Sequence, residues 1–218
     1  ELLGAEVAME EAAAALTEAT ARRALLAAEI AEARRDAAPG LETEVARRLE
    51  ALAMPDAGFA VSLTSSEPGP DGADHVEFLL APNPGVPATA LGETASGGEL
   101  SRVMLALLTA VNTGSSAALV FDEIDAGIGG RTASAVGEQL RALSSSRQVL
   151  CITHLPQVAA QADRHFSIAK DTSAEPARTT VTALESGAVE AELVRMLGSA
   201  DDDLAARRHA RELRKAVA

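Results

Sequence analysis

The chain holds 218 residues with a formal net charge of −13, 47% apolar residues and 2% aromatics. That is enough for one large domain, or one domain plus an extension, with a real core. The charge argues against phosphate-backbone binding by the whole surface, and the lack of Trp and Tyr argues against a base-stacking platform.

The elements are expected in this order. Residues 1–36 contain no Pro and are rich in Ala, Glu and Arg. Leu2, Met9, Leu16, Arg23 and Ile30 recur every seven residues, and Ala5, Ala12, Ala19, Leu26 and Ala33 follow each by three. This a/d pattern predicts a coiled-coil arm. Pro39-Gly40 should break it, leaving a body over 37–218 that begins with a second helix at 41–54. Residues 59–64 and 75–80 read as a β-hairpin, with a turn-rich loop at 65–73. A Pro/Gly-rich linker at 81–89 follows. Beyond it helices (98–111, 132–143, 157–162) alternate with strands (117–121, 149–153, 166–169). Alternation of this kind predicts an α/β fold whose mostly parallel sheet is covered by helices on both faces. Residues 179–184 add an antiparallel edge strand, and helices at 189–197 and 201–217 close the chain. The last of these carries Arg207, Arg208, Arg211, Arg214 and Lys215, either a solvated face or a local basic patch.

Three short stretches carry chemistry. Ser96-Gly97-Gly98-Glu99 opens a helix. Glycines let a ligand approach the backbone, and free N–H groups at a helix start suit a phosphate. The same residues also spell a Ser-x-x-Glu capping box. Ala118-Leu119-Val120-Phe121 is an apolar strand ending in Asp122 and Glu123. Asp122 can supply a hard oxygen to Mg²⁺, which leaves Glu123 to orient and polarise a water. Cys151-Ile152-Thr153 is a second strand ending in His154, which could stabilise a γ-phosphate. Together they form one side of a nucleoside-triphosphate site. The other side needs a Gly-rich loop ending in Gly-Lys-Ser/Thr. The only lysines, Lys170 and Lys215, do not follow a glycine, so the chain reads as half of an ATPase. Its start at Glu1 rather than Met fits a fragment or processed chain. Cys151, the single cysteine, cannot form an internal disulfide and is expected as a buried, inert thiol. No run approaches the ~20 apolar residues that span a bilayer, so a soluble, cytoplasmic chain is expected.

These residues resemble the C-terminal half of an ABC-type ATPase head of the structural-maintenance-of-chromosomes (SMC) branch. Ala95 to Glu99 resembles the signature motif, with Ala95 and Glu99 where transporters usually have Leu and Gln. Residues 119–123 resemble Walker B, and His154 resembles the switch histidine. Residues 95–107, 121–133 and 149–159 are similar to the RecN family of bacterial DNA-repair proteins, including Gly129 where most SMC heads carry Asp. The resemblance implies heads that pair face to face as a homodimer around ATP and Mg²⁺. Ser96, Gly97, Gly98 and Glu99 would touch ATP held by the partner head, Asp122 would bind Mg²⁺, and Glu123 and His154 would be catalytic. An N-terminal half would supply Walker A, across a long coiled coil. The function implied is repair of DNA double-strand breaks at the nucleoid, with DNA bound through other regions or the basic patch. A transporter nucleotide-binding subunit and a structural tether with a decayed site are the competing readings. The heptad arm and the Gly127-Ile128-Gly129-Gly130 segment argue against the first, and intact Ser96, Asp122, Glu123 and His154 argue against the second.

Overall fold

The computed structural model describes residues 2–94, 97–111, 117–172, 177–200 and 202–215. Two compact units emerge, one of residues 1–46 and 57–94, the other of 47–56 and 95–218. None of the described helices is long and apolar enough to cross a membrane.

Helix α1 runs unbroken from Leu2 to Ala51, straight through Pro39. The expected break at Pro39-Gly40 and the separate helix at 41–54 are therefore corrected. A proline inside a helix forfeits one backbone hydrogen bond. Here side chains on both sides of Pro39 grip one hairpin and hold the axis. Before it, Arg34 donates to the Asp71 carbonyl at 2.7 Å and pairs with Asp74 at 3.6 Å. After it, Glu42 accepts the Val61 N–H at 2.7 Å. The helix ends in a Schellman cap. The Met54 N–H reaches the Leu49 carbonyl at 2.9 Å, the Ala53 N–H reaches Glu50 at 3.3 Å, and Ala53 takes φ +59°. Along the helix Met9, Leu16 and Leu26 are exposed.

The hairpin pairs β1 (Gly58–Gly69) with β2 (Gly72–Ala81), from Gly58↔Ala81 to Ser65↔Asp74. Much of the loop expected at 65–73 is strand, with a register shift between Ser65 and Gly69. The turn is tight because Gly72 takes φ +109°, and a Cβ there would lie 3.2 Å from the Ile30 side chain. Phe59 and Phe78 pack with ring centroids 5.6 Å apart. A short β3 (Thr89–Ala90) extends the sheet on β2, and α2 (Leu91–Thr94) ends this unit.

In the second unit α3 (Gly97–Val111) and α4 (Gly130–Ser144) face each other through apolar stripes. Val103, Leu105, Ala106, Ala133 and Val136 are fully buried. Between them in sequence lies β4 (Leu119–Phe121), which pairs in parallel with β5 (Val149–Cys151). Phe121 points into the core, whereas Val120, Leu150 and Ile152 are about half exposed or more. Among the described residues nothing covers the face that carries Val120, Leu150 and Ile152. After α5 (Pro156–Ala159), β6 (His165–Asp171) pairs antiparallel with β7 (Arg178–Leu184) as a hairpin of its own rather than extending the parallel pair. Helices α6 (Ser186–Met196) and α7 (Leu204–Lys215) close a small core of Ala160, Val189, Leu193, Val194, Ala206 and Ala210.

Candidate functional site

The parallel register sets Phe121 opposite Cys151, and the Ile152 N–H donates to the Phe121 carbonyl at 2.9 Å. Both strands therefore finish together, so Asp122 and Thr153 leave the same carboxyl edge. This is where α/β sheets bind ligands. Asp122 and Glu123 are exposed there. Glu123 has φ +56°, a left-handed backbone that is uncommon without glycine and recurs at functional sites. It starts a turn closed by the Ala126 N–H on the Glu123 carbonyl at 3.0 Å. Gly127 (φ +73°) and Gly130 (φ +53°) then redirect the chain into α4, and Gly129, in extended backbone, caps that helix.

The start of α3 sits against this turn. A Cβ on Gly98 would fall 2.9 Å from the Ala126 Cβ and 3.0 Å from the Glu123 carbonyl oxygen. A Cβ on Gly97 would fall 3.1 Å from the Glu123 carboxylate. Both glycines thus have a packing reason, besides any ligand, to lack a side chain. Ser101 donates to the Asp122 carbonyl at 3.2 Å, and Arg102 to the Ala126 carbonyl at 3.0 Å. Arg102 is 7% exposed, and burial lowers its pKa while nearby Glu99 opposes the shift. Ser96 and Ala95 lie outside the described residues, so the phosphate contact and the capping box expected of Ser96 are not placed.

His154 meets Asp125 rather than Asp122 or Glu123. Asp125 is 3% exposed. Its Oδ2 accepts the Thr153 hydroxyl and the His154 N–H at 2.9 Å, and the His154 Nδ1 lies 3.1 Å from it as an ion-pair contact. The Thr153 hydroxyl accepts the Leu155 N–H at 3.0 Å. The sequence reading missed Asp125. Its only signal was a third acid after Asp122-Glu123, which looks like one more solvated carboxylate.

The donor set suits one Mg²⁺ contact. Asp122 offers an exposed carboxylate, the kind of hard oxygen that Mg²⁺ takes together with waters and phosphates. The described residues contain no group of three or more His, Cys, Asp and Glu able to hold a metal by themselves. Cys151 is partly buried, and burial, then the charges of Asp125 and Asp122, push its thiol up to about 12. The thiol is only partly buried, where the sequence predicts a buried one.

No family model matches the chain. The DNA repair protein RecN of Streptomyces coelicolor is 42% identical over 202 residues, covering 86% of this chain and 35% of that protein. RecN of Treponema pallidum is 42% identical over 189 residues, covering 83% of this chain and 33% of that protein. The chain therefore spans about a third of the length of these relatives. Among solved structures, the Smc head domain with a coiled coil and joint from Pyrococcus yayanosii aligns with a TM-score of 0.50 at 21% identity. That alignment covers 71% of this chain and 28% of the Smc chain, and it shows a shared fold. By sequence the chain belongs to the RecN family, and it shares its fold with an Smc head.

Proposed function

We propose that this chain is the C-terminal lobe of an ATP-hydrolysing SMC-type head acting in DNA double-strand break repair, with residues 1–36 as the end of its coiled-coil arm and the nucleoid as its place of work. One observation carries the reading. The start of α3, the Asp122-Glu123 strand end and the His154 loop interlock at a single sheet edge. In this reading Ser96, Gly97, Gly98 and Glu99 face the γ-phosphate of ATP held by a second head. Asp122 holds Mg²⁺, which neutralises charge on the phosphates. Glu123 orients and polarises the attacking water, and His154 stands by the γ-phosphate. The N-terminal half supplies the P-loop and docks on the open apolar face of Val120, Leu150 and Ile152.

DNA is bound through other regions of the protein or through the basic stripe of α7. At ~100° per residue, Arg214, Arg207, Arg211, Lys215 and Arg208 fall within an arc of about 120°. Ala206 and Ala210 on another side face the core. Glu190 holds Arg211 through bonds of 2.9 Å and so orients the stripe. Turnover by the complete head, measured against this chain alone, tests the reading. The chain alone should be inactive, and steady hydrolysis without a P-loop-bearing half would overturn the assignment.

A further inference from the structure

Asp125 has no part in the roles given above, yet it is the most enclosed acid at the site. We infer that Asp125 is a positioning residue that locks His154 with its proton on Nδ1 and its Nε2 facing outward as an acceptor.

The chemistry forces the proton's place. A carboxylate can only accept hydrogen bonds. The His154 Nδ1 lies 3.1 Å from Asp125 Oδ2, and a lone pair on that nitrogen would face the carboxylate, so the hydrogen belongs there. The same Oδ2 accepts the His154 backbone N–H at 2.9 Å. One oxygen thus bonds the main chain and faces the ring nitrogen. The Thr153 hydroxyl spends its hydrogen on Asp125 and a lone pair on the Leu155 N–H, so it cannot turn away. A buried carboxylate is tolerated only where donors and opposite charge compensate it, and here the Thr153 hydroxyl, the His154 N–H and the nearby imidazole do so. The contrast in exposure completes the geometry, because the His154 side chain is 72% exposed and that of Asp125 only 4%.

The consequence is specific. Neutral His154 has no hydrogen to offer at Nε2. It accepts from a water or a protonated phosphate oxygen, and it donates to phosphate only as the imidazolium, with Asp125 as its buried counter-charge. What His154 acts on rests on the proposed ATP site, whereas its tautomer does not.

The test is long-range proton–nitrogen NMR on histidine-labelled protein, with His154→Ala to assign the signal. With the ring neutral, His154 should be protonated at Nδ1 alone. Asp125→Ala should release it toward the Nε2–H form that a free side chain favours. Asp125→Asn, whose amide oxygen still accepts, should keep Nδ1–H. Wild-type His154 protonated at Nε2, or a folded Asp125→Ala that keeps Nδ1–H, overturns the inference. Should Asp125→Ala fail to fold, the wild type and Asp125→Asn decide. In the complete head, Asp125→Ala should lower turnover roughly 100-fold, the scale of a small misplacement, and Asp125→Asn should recover most of it. Unchanged turnover in Asp125→Ala removes the positioning role. A complete head with no ATPase but with the Nδ1–H signal intact would instead sink the ATP-site reading alone.

Discussion

The turn after β4 and the outer face of β4 itself are built in opposite ways. The turn satisfies itself. Its carbonyls at Asp122 and Ala126 receive Ser101 and Arg102, Gly98 closes against Glu123, and Asp125 anchors the His154 loop. Hardly more than one residue away, Val120 is 67% exposed beside Leu150 and Ile152. Among the described residues the turn is thus held by polar contacts of its own unit, while the apolar face beside it stays open. Precise geometry needs local contacts of fixed direction, and a core needs only area, which a second segment can supply.

The largest effect that tests this contrast is on chemistry. In a reconstituted head, Glu123→Gln should lower turnover by roughly 100-fold or more, since the amide cannot polarise water as a carboxylate does. Nucleotide binding should survive, whereas Asp122→Asn should weaken Mg²⁺-dependent binding. Equal losses of nucleotide affinity in both variants would show that the turn does not divide the labour.

Next comes the packing of the turn. Gly98→Ala places a Cβ against the Ala126 Cβ and the Glu123 carbonyl, and neither has room to give. Overpacking of this kind costs about 1–3 kcal/mol, to be read as a lowered denaturation midpoint. Gly129→Ala is the control, since a Cβ there meets nothing within 4 Å and its φ of −171° is ordinary extended backbone. Equal destabilisation by the two would mean that the close approach at Gly98 is not what holds the turn.

The open face should behave in the reverse manner. Ile152→Ser removes no internal contact of consequence, so the stability of the chain alone should change little, whereas docking of an N-terminal half should weaken by about 1.5–3 kcal/mol. Pull-down with the P-loop-bearing half reads this directly. Unimpaired docking would mean that some other element covers the strands.

What the sequence made legible follows the same divide. The helix start at Gly97, the Asp122-Glu123 strand end and the His154 loop were readable because glycines, apolar runs and strand ends are local signals. The continuity of α1 was not, because the grip that carries it past Pro39 comes from the hairpin side chain and backbone partners of Arg34 and Glu42. Asp125 was hidden for a related reason. Its donors stand 28 and 29 residues away, and nothing nearby distinguishes a buried acceptor from a solvated acid.

The smallest expected effect concerns pH, in the small core beneath α6 and α7. The His165 ring bonds the Ala159 carbonyl at 2.8 Å through Nε2, so that nitrogen donates. Burial lowers its pKa first, the Ala159 bond opposes this, and Arg214 lowers it further. The sign follows from linkage. The unfolded chain binds the proton more readily, so stability is full above the ordinary value near 6.5 and falls as pH drops toward the folded value. Below the folded value the loss levels off. His165→Gln keeps a donor for Ala159 and cannot titrate, so it should flatten this stretch of the stability curve while leaving stability at pH 8 nearly unchanged. Denaturant midpoints across pH 4.5–8 would decide it. A slope that survives in His165→Gln would assign the acid sensitivity to another group, though not to the Glu190–Arg211 and Glu192–Arg195 pairs, whose carboxylates are held below their usual range by arginine hydrogen bonds. Those pairs lose stability only as pH falls through their own lower values, so the two sources separate along the pH axis.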